Sequence, residues 1–160
     1  MKTLIAYATK HGSTEKCAKI LKEELQGQVE LINLEKENKV DLSEYDQVVI
    51  GGSVYAGRIR KPVSSFCSQY MEELTNKRIG LFFCGIVEDE GIEKEMNSVF
   101  PPELLNAARA KEFFGGELVL DQMGFMEKYI IKKVAKVTTN TSKIREDKID
   151  DFAKVLNMQN

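Results

Sequence analysis

The chain has 160 residues, of which 42% are apolar and 30% are charged, and its formal net charge is −2. This length and composition fit one soluble globular domain spanning residues 1–160, and the lack of a basic excess argues against a nucleic acid as a partner. No apolar run reaches the roughly 18 residues of a membrane span and no secretory signal opens the sequence, so we expect a cytoplasmic protein.

The first half of the chain alternates apolar runs with an amphipathic segment. Thr3–Ala8 is a short apolar run typical of a buried strand. Thr14–Leu25 places apolar residues at helical spacing, which predicts an amphipathic helix that ends before Gly27. Val29–Ile32 and Val48–Ile50 predict the second and third strands.

The second half of the chain continues this alternation. Pro62 is predicted to lie in the first turn of a helix, where proline is tolerated. The pair Gly115-Gly116 interrupts the last predicted strand and predicts a kink or bulge there. The predicted elements are a helix at Pro62–Leu74, a strand at Ile79–Cys84, a helix at Ile92–Phe100, a strand at Phe113–Leu120, and helices at Phe125–Val137 and Ile149–Leu156.

The alternation of strands and helices predicts an α/β fold. Such a chain forms parallel βαβ units with right-handed crossovers, and helices cover both faces of the sheet. In a doubly wound sheet of this kind, ligands bind beyond the carboxyl ends of the strands. A functional site is therefore expected in the loops after the first, third and fourth strands.

The loop after the first strand has the composition of an anion site. One glycine and three hydroxyl side chains precede a helix, whose first turn offers unpaired backbone N–H groups and a partial positive charge. The pattern is neither a Walker loop nor the Gly-x-Gly-x-x-Gly turn of dinucleotide sites. Ordinary N-capping by Ser13 or Thr14 is the alternative. The loop consists of Thr9, Lys10, His11, Gly12, Ser13 and Thr14.

This loop resembles the phosphate loop of the flavodoxin family, in which a hydroxyl-x-Thr-Gly-x-Thr pattern grips the phosphate of FMN. His11 stands where that pattern has threonine, and Ser13 where asparagine is common. Residues 48–57 are similar to the family's first flavin-flanking loop. The resemblance implies FMN as cofactor and a flavodoxin-like, doubly wound, five-stranded parallel sheet in the order 2-1-3-4-5.

Within the family, the sequence is similar to the flavodoxin-like menaquinone-dependent protoporphyrinogen IX dehydrogenases. The shared features are the opening Met1–Ile5, the run Tyr45–Ser53 and a lysine-rich hydrophobic segment late in the chain. This resemblance implies an FMN-dependent oxidoreductase that oxidises protoporphyrinogen IX with a quinone acceptor.

The resemblance assigns two flanking loops to the flavin. Tyr55 is expected to stack on the isoalloxazine, the alternative being a surface tyrosine in a turn, and Gly57 would allow a peptide to flip with the flavin redox state. The second loop offers backbone N–H groups but no aromatic ring, which would leave one flavin face open to a substrate. The flanking residues are Ser53, Val54, Tyr55, Ala56 and Gly57 on one side, and Cys84, Gly85, Ile86 and Val87 on the other.

Two basic features lie near these loops in sequence. Arg58, Arg60 and Lys61 form a cluster that would attract carboxylates or stabilise reduced flavin, or would simply be solvated surface charge. In the predicted helix Phe125–Val137, an apolar stripe opposes a row of three lysines, so this helix would lie on anionic lipid or pack ordinarily on the sheet. The lysines of that row are Lys128, Lys132 and Lys136.

Several functions remain open on the sequence alone. The partner would be a small-molecule substrate, such as a porphyrinogen or a quinone, or a redox protein if the chain is an electron carrier. The near-neutral charge and the basic cluster count against a carrier, and a binding module without redox activity is a further alternative. With His11 as the single histidine, no histidine-pair metal site is expected, and no catalytic residue is assigned. Cys17, Cys67 and Cys84 form no Cys-x-x-Cys pair and are expected to be reduced, buried thiols.

Overall fold

A computed structural model describes residues 1–118, 124 and 141–159. The strands of its main sheet are β1 Lys2–Ala8, β2 Gln28–Asn33, β3 Gln47–Tyr55, β4 Arg58–Ile59, β5 Arg78–Cys84 and β6 Ala108–Phe113. Their order in the sheet is β2-β1-β3-β5-β6, with β4 paired antiparallel to the end of β3. The parallel strands alone therefore follow the order 2-1-3-4-5, which confirms the predicted doubly wound topology.

Helices cover both faces of this sheet. The alternation of side chains along β1 sends Leu4 to one face and Ile5 to the other, and both are buried. One face packs on α2, α4 and α5, and the opposite face packs on α1 and α6. The helices are α1 Ser13–Glu24, α2 Lys61–Gln69, α3 Met71–Leu74, α4 Ile92–Val99, α5 Pro102–Ala107 and α6 Glu146–Asn157.

Aromatic packing on the face covered by α1 and α6 explains why β3 has a glycine at position 51. Phe82 stacks on Phe114 at a centroid distance of 4.5 Å, and Phe152 meets Phe114 edge-on at 5.1 Å. A Cβ added at Gly51 would lie 2.0 Å from the ring of Phe82. Gly51 therefore lets a bulky ring of β5 lie over β3, and it belongs to the sheet interior, not to a loop.

Three predicted boundaries differ from the structure. The strand ending at Ile50 continues through two glycines to Tyr55, because the end of β3 pairs with β4 in a hairpin. The fifth parallel strand lies at Ala108–Phe113 and not at Phe113–Leu120. The predicted helix Pro62–Leu74 divides at Tyr70, whose φ of −109° and ψ of 18° separate α2 from α3.

The chain beyond β6 adds a short antiparallel pair. Gly115, with φ +76°, turns the chain out of the sheet, and β7 Glu117–Leu118 pairs with β8 Thr141–Ser142. The predicted helix Phe125–Val137 lies outside the described residues. Among the residues that are described, no helix is long and apolar enough to cross a membrane.

Candidate functional site

The carboxyl ends of three neighbouring strands meet at one edge of the sheet. Ala8 of β1 pairs in register with Gly52 of β3, and Ser53 of β3 pairs with Cys84 of β5. The three loops singled out by the sequence therefore leave the sheet at the same level. In a doubly wound sheet this edge is where ligands bind.

The loop after β1 turns sharply into α1. Gly12 has φ +96°, and its N–H donates to Thr9 Oγ1 at 2.9 Å. α1 begins at Ser13, so Gly12 is the N-cap, and the capping by Ser13 or Thr14 considered as an alternative is not what the structure has. The backbone N–H groups of the first helical turn have no acceptor within the helix, and they carry its partial positive charge.

Three buried hydroxyls at this edge have no hydrogen bond of ordinary geometry within the described part of the chain. They are Thr14 Oγ1, Ser53 Oγ and the Tyr55 hydroxyl. Leaving such a group unsatisfied costs about 1–3 kcal/mol, so three together at one edge are unusual in a native fold. They indicate a site built for a ligand with several oxygen atoms.

The three hydroxyls lie on the same side of the sheet, the side that α1 covers. Thr14 is one of the buried residues on the sheet-facing side of α1. Along β3, Val54 packs in the core on the α2 face, so Ser53 and Tyr55 point to the α1 face. Their placement on one face follows from the two-residue period of β3 and from the position of Thr14 in the first turn of α1.

The hairpin between β3 and β4 presents Tyr55 to the site. Ala56 has φ +51° and Gly57 has φ +78°, the left-handed pair that defines a two-residue type I′ turn. Tyr55 and Arg58 are the last paired residues before the turn. Tyr55 is thus held at the end of a strand, whereas the sequence had suggested a loop.

The Tyr55 ring lies against the phosphate-loop candidate. Lys10 Nζ is 5.0 Å from the centre of the ring, within the range of a cation–π contact. This contact joins the loop after β1 to the end of β3. Two of the sequence-predicted site segments are therefore in direct contact.

The loop after β5 approaches the end of β3 through its backbone atoms. A Cβ at Gly85 would lie 2.9 Å from the carbonyl oxygen of Val54, and the Gly85 N–H donates to the Gly115 carbonyl at 2.9 Å. Ile86 is 38% exposed, while Val87 packs on the core at the α2 face. Glycine at position 85 is what allows the two flanking segments to come this close.

Cys84 has a packing role. Its side chain is fully buried, and burial together with the neighbouring thiol of Cys17 raises the pKa of the Cys84 thiol well above its ordinary value. The nearby Thr14 hydroxyl acts in the opposite direction. A thiol held in its neutral form is a poor nucleophile.

Of the three residues in the predicted basic cluster, Arg60 forms an ion pair, whereas Arg58 and Lys61 are exposed. Arg60 Nη2 lies 2.7 Å from Glu35 Oε1, with both side chains about one-third exposed. The sequence did not indicate Glu35 as the partner of Arg60, because Glu35 follows β2 and is far from Arg60 along the chain.

A second ion pair that the sequence did not indicate flanks the start of α1. Lys16 Nζ lies 2.7 Å from Glu117 Oε1, and Glu117 raises the pKa of Lys16. Glu117 belongs to β7, so this pair fastens the strand added after β6 to the first turn of α1. The only available signal was the charge of the two residues, which does not identify partners so distant in sequence.

Comparison with known proteins identifies the family of the chain. A family model described as the flavodoxin domain matches residues 4–144, so the chain belongs to the flavodoxin domain family. The protoporphyrinogen IX dehydrogenase (quinone) of Escherichia coli strain K12 is 24% identical over 166 residues, which cover 98% of this chain and 92% of that protein.

Two solved structures share the fold. The flavodoxin of Fusobacterium nucleatum, solved with bound flavin mononucleotide, superposes with a TM-score of 0.59 at 14% identity, over 97% of this chain and 96% of its own. The rubredoxin oxygen:oxidoreductase of Desulfovibrio gigas gives a TM-score of 0.56 at 20% identity, over 94% of this chain. This chain spans about a third of that second protein, since the match covers 36% of it.

Proposed function

We propose that the protein binds FMN at the carboxyl edge of its sheet and uses it in oxidation–reduction. The observation that carries the proposal is the presence, on one face at the carboxyl edge of the sheet, of three buried hydroxyls that have no hydrogen bond of ordinary geometry in the described chain: Thr14, Ser53 and Tyr55. A phosphate monoester and a polyhydroxyl chain present the acceptors that such donors need. The first turn of α1 adds backbone N–H groups and the helix dipole.

The residues fit a mononucleotide better than a dinucleotide. The turn into α1 has one glycine, Gly12, where a dinucleotide site needs several so that the backbone can approach a pyrophosphate. In the proposed arrangement, residues 9–14 hold the phosphate, and residues 53–57 and 84–87 flank the ring. When bound, FMN supplies the electron-transferring ring, and the chain supplies binding, orientation and exclusion of water.

The finer proposal is that the substrate is protoporphyrinogen IX and the acceptor a quinone. It is supported by the match to the Escherichia coli enzyme, which extends over nearly the whole of both chains. The exposed side chain of the loop after β5 is the aliphatic Ile86 and not an aromatic residue, which suits an open flavin face. The alternative is an electron carrier between proteins, as the flavodoxin name of the family suggests.

Anaerobic electron exchange distinguishes these functions. FMN-loaded protein is mixed with protoporphyrinogen IX, and the visible flavin absorbance is followed before and after addition of a menaquinone analogue. Bleaching by the porphyrinogen and recovery with the quinone are expected. Recovery of chemically reduced protein with quinone, but no bleaching by porphyrinogen, would indicate a quinone reductase. Exchange with redox proteins alone would indicate a carrier.

Two further predictions concern where the protein works. A cytoplasmic location and a peripheral membrane contact through residues 125–137 stay proposals, since that segment lies outside the described residues. Co-sedimentation with anionic and neutral vesicles at low and high salt tests the contact. Equal binding to anionic and neutral vesicles would contradict the proposed membrane contact.

A further inference from the structure

Arg58 differs from the other arginines of the chain in its lack of a partner. Its side chain is exposed, and no ion pair, hydrogen bond or ring contact of Arg58 is found among residues 1–118, 124 and 141–159. Each of the other four arginines takes part in an ion pair, a hydrogen bond, a ring contact or another electrostatic interaction: Arg60, Arg78, Arg109 and Arg145. The position of Arg58 therefore decides what it can bind.

Strand pairing fixes the face of the hairpin on which Arg58 lies. Arg58 pairs with Tyr55, and Ile59 pairs with Val54. Directly paired residues of antiparallel strands carry their side chains on the same face. Val54 and Ile59 pack against the core on the α2 face, so Arg58 shares the opposite face with Tyr55. This is the face of the candidate site.

The hairpin also carries Arg58 beyond the edge of the sheet. The last residue of β3 that pairs with a parallel neighbour is Ser53, opposite Cys84, and β3 continues to Tyr55. Two further residues, at a rise of about 3.3 Å each, extend the hairpin roughly 7 Å past this edge. Ligands of doubly wound sheets bind in this space. Arg58 therefore lies on the outer side of the candidate site.

The backbone that follows Arg58 is anchored, although its side chain is exposed. Ile59 packs so closely on β3 that a Cβ at Gly52 would lie 2.9 Å from Ile59 Cγ1, and the Arg60 N–H donates to the Ser53 carbonyl at 3.1 Å. A side chain on an anchored backbone loses less conformational freedom on binding than one on a free loop. The planar guanidinium matches a carboxylate at two points.

We propose that Arg58 recognises the substrate: its guanidinium forms a two-point ion pair with a carboxylate of the molecule that exchanges electrons with the flavin. This inference rests on the proposed function and deepens it, since protoporphyrinogen IX carries propionate side chains. The phosphate of FMN is a separate anion, which residues 9–14 hold in the proposed arrangement. Arg58 therefore selects carboxylated substrates and does not contribute to cofactor affinity.

The test compares protoporphyrinogen IX with its dimethyl ester, which has the same macrocycle and no free carboxylate. Oxidation by FMN-loaded protein is measured anaerobically with a menaquinone analogue as acceptor, in one detergent buffer for both substrates. The proteins are wild type, Arg58→Gln, Arg58→Lys and the control Lys22→Gln. Lys22 is exposed in the last turn of α1, so the control removes the same charge far from the carboxyl edge of the sheet. The FMN affinity of each apoprotein is titrated separately.

Arg58→Gln should lower kcat/KM for the free acid by about fivefold or more, mainly through KM, and leave that for the ester unchanged. Arg58→Lys keeps the charge but not the planar fork, so it should recover only part of the loss. The control and all FMN affinities should match wild type.

Three results would overturn the inference. They are an equal effect of Arg58→Gln on acid and ester or none on either, full recovery of the rate in Arg58→Lys, and a fall in FMN affinity together with the rate. If wild type binds FMN but oxidises neither substrate, the proposed porphyrinogen oxidation fails, and the role of Arg58 fails with it.

Discussion

Arg60 donates from Nε to Glu35 Oε1 at 2.8 Å, and its Nη2 lies 2.7 Å from the same carboxylate oxygen in an ion pair. The pair links the segment after β2 to the end of the hairpin at β4. The Arg60 N–H also donates to the Ser53 carbonyl at 3.1 Å, so the same residue anchors the strand that carries two of the orphaned hydroxyls. Arg60 is therefore a structural cation, and Arg58 is the exposed charge of the hairpin.

This division of roles predicts different results for two arginine variants. Arg60→Ala should lower the free energy of unfolding, with a coupling to Glu35→Ala of up to about 1 kcal/mol in a double-mutant cycle, as for a partly exposed ion pair. Arg58→Ala should leave stability unchanged and should slow reaction with an anionic substrate at low salt, because it removes charge from the rim. Zero coupling between Arg60 and Glu35, or a salt-independent rate effect of Arg58→Ala, would contradict the assignment.

Thr14 is expected to be a direct cofactor ligand. Thr14→Val keeps the volume of the buried side chain and removes the hydroxyl, so FMN should bind more weakly by about 1–3 kcal/mol. The free energy of unfolding of the apoprotein should change little, because the hydroxyl has no hydrogen bond of ordinary geometry in the described chain and its one polar neighbour there is the weakly accepting thiol of Cys84. Thr75→Val is the matched control, since the Thr75 hydroxyl bonds the Glu72 carbonyl outside the site. Unaltered FMN affinity in Thr14→Val would remove Thr14 from the site.

The turn at Ala56 should respond to substitution in a defined order. Alanine at φ +51° carries the steric cost of a left-handed residue, and Asn-Gly is the preferred pair in a type I′ turn. Ala56→Asn should therefore stabilise the apoprotein by about 0.5–1 kcal/mol, and β-branched Ala56→Val should destabilise it. Urea unfolding measures both. A destabilised Ala56→Asn variant would show that the hairpin has another geometry in solution.

Stability should fall in alkaline solution. Burial raises the pKa of Cys67 from 9.0 to about 12, and burial with the Glu30 carboxylate raises that of Tyr45 from 10.0 to about 12. A raised folded-state pKa means that the unfolded chain releases its proton first. The stability that Cys67 contributes is therefore complete below about pH 9 and is lost toward pH 12, at up to about 1.4 kcal/mol per pH unit.

The variant Cys67→Ala should show a shallower decline in the free energy of unfolding between pH 9 and 11, measured by urea unfolding. Parallel pH profiles for the variant and wild type would contradict this.

The parts of the fold that sequence patterns could predict are those dominated by local signals. Thr3–Ala8 and Ile79–Cys84 are continuous apolar runs because those strands are buried on both faces. The prediction placed the last parallel strand too late in the chain. β6 is an edge strand, and its exposed Arg109 and Lys111 interrupt the apolar pattern that would have revealed it. Edge strands carry such charges to prevent pairing with other chains.

The candidate site was predictable in outline and not in detail. The hydroxyl-rich loop and its helix start are contiguous in sequence, so Thr9 and Thr14 could be recognised together. The orientation of Tyr55 toward Lys10, and the pairing of Arg60 with Glu35, depend on contacts between distant segments. No local pattern contains that information, because strand order and helix packing create these contacts.

The central claim is that this edge of the sheet binds FMN through its phosphate. The most direct measurement is calorimetric titration of the wild-type apoprotein with FMN, riboflavin and FAD under identical conditions. We predict one site per chain. FMN should bind more tightly than riboflavin, because riboflavin lacks the phosphate contacts, and more tightly than FAD, because the loop has a single glycine. Absence of FMN binding, or riboflavin bound as tightly as FMN, would contradict it.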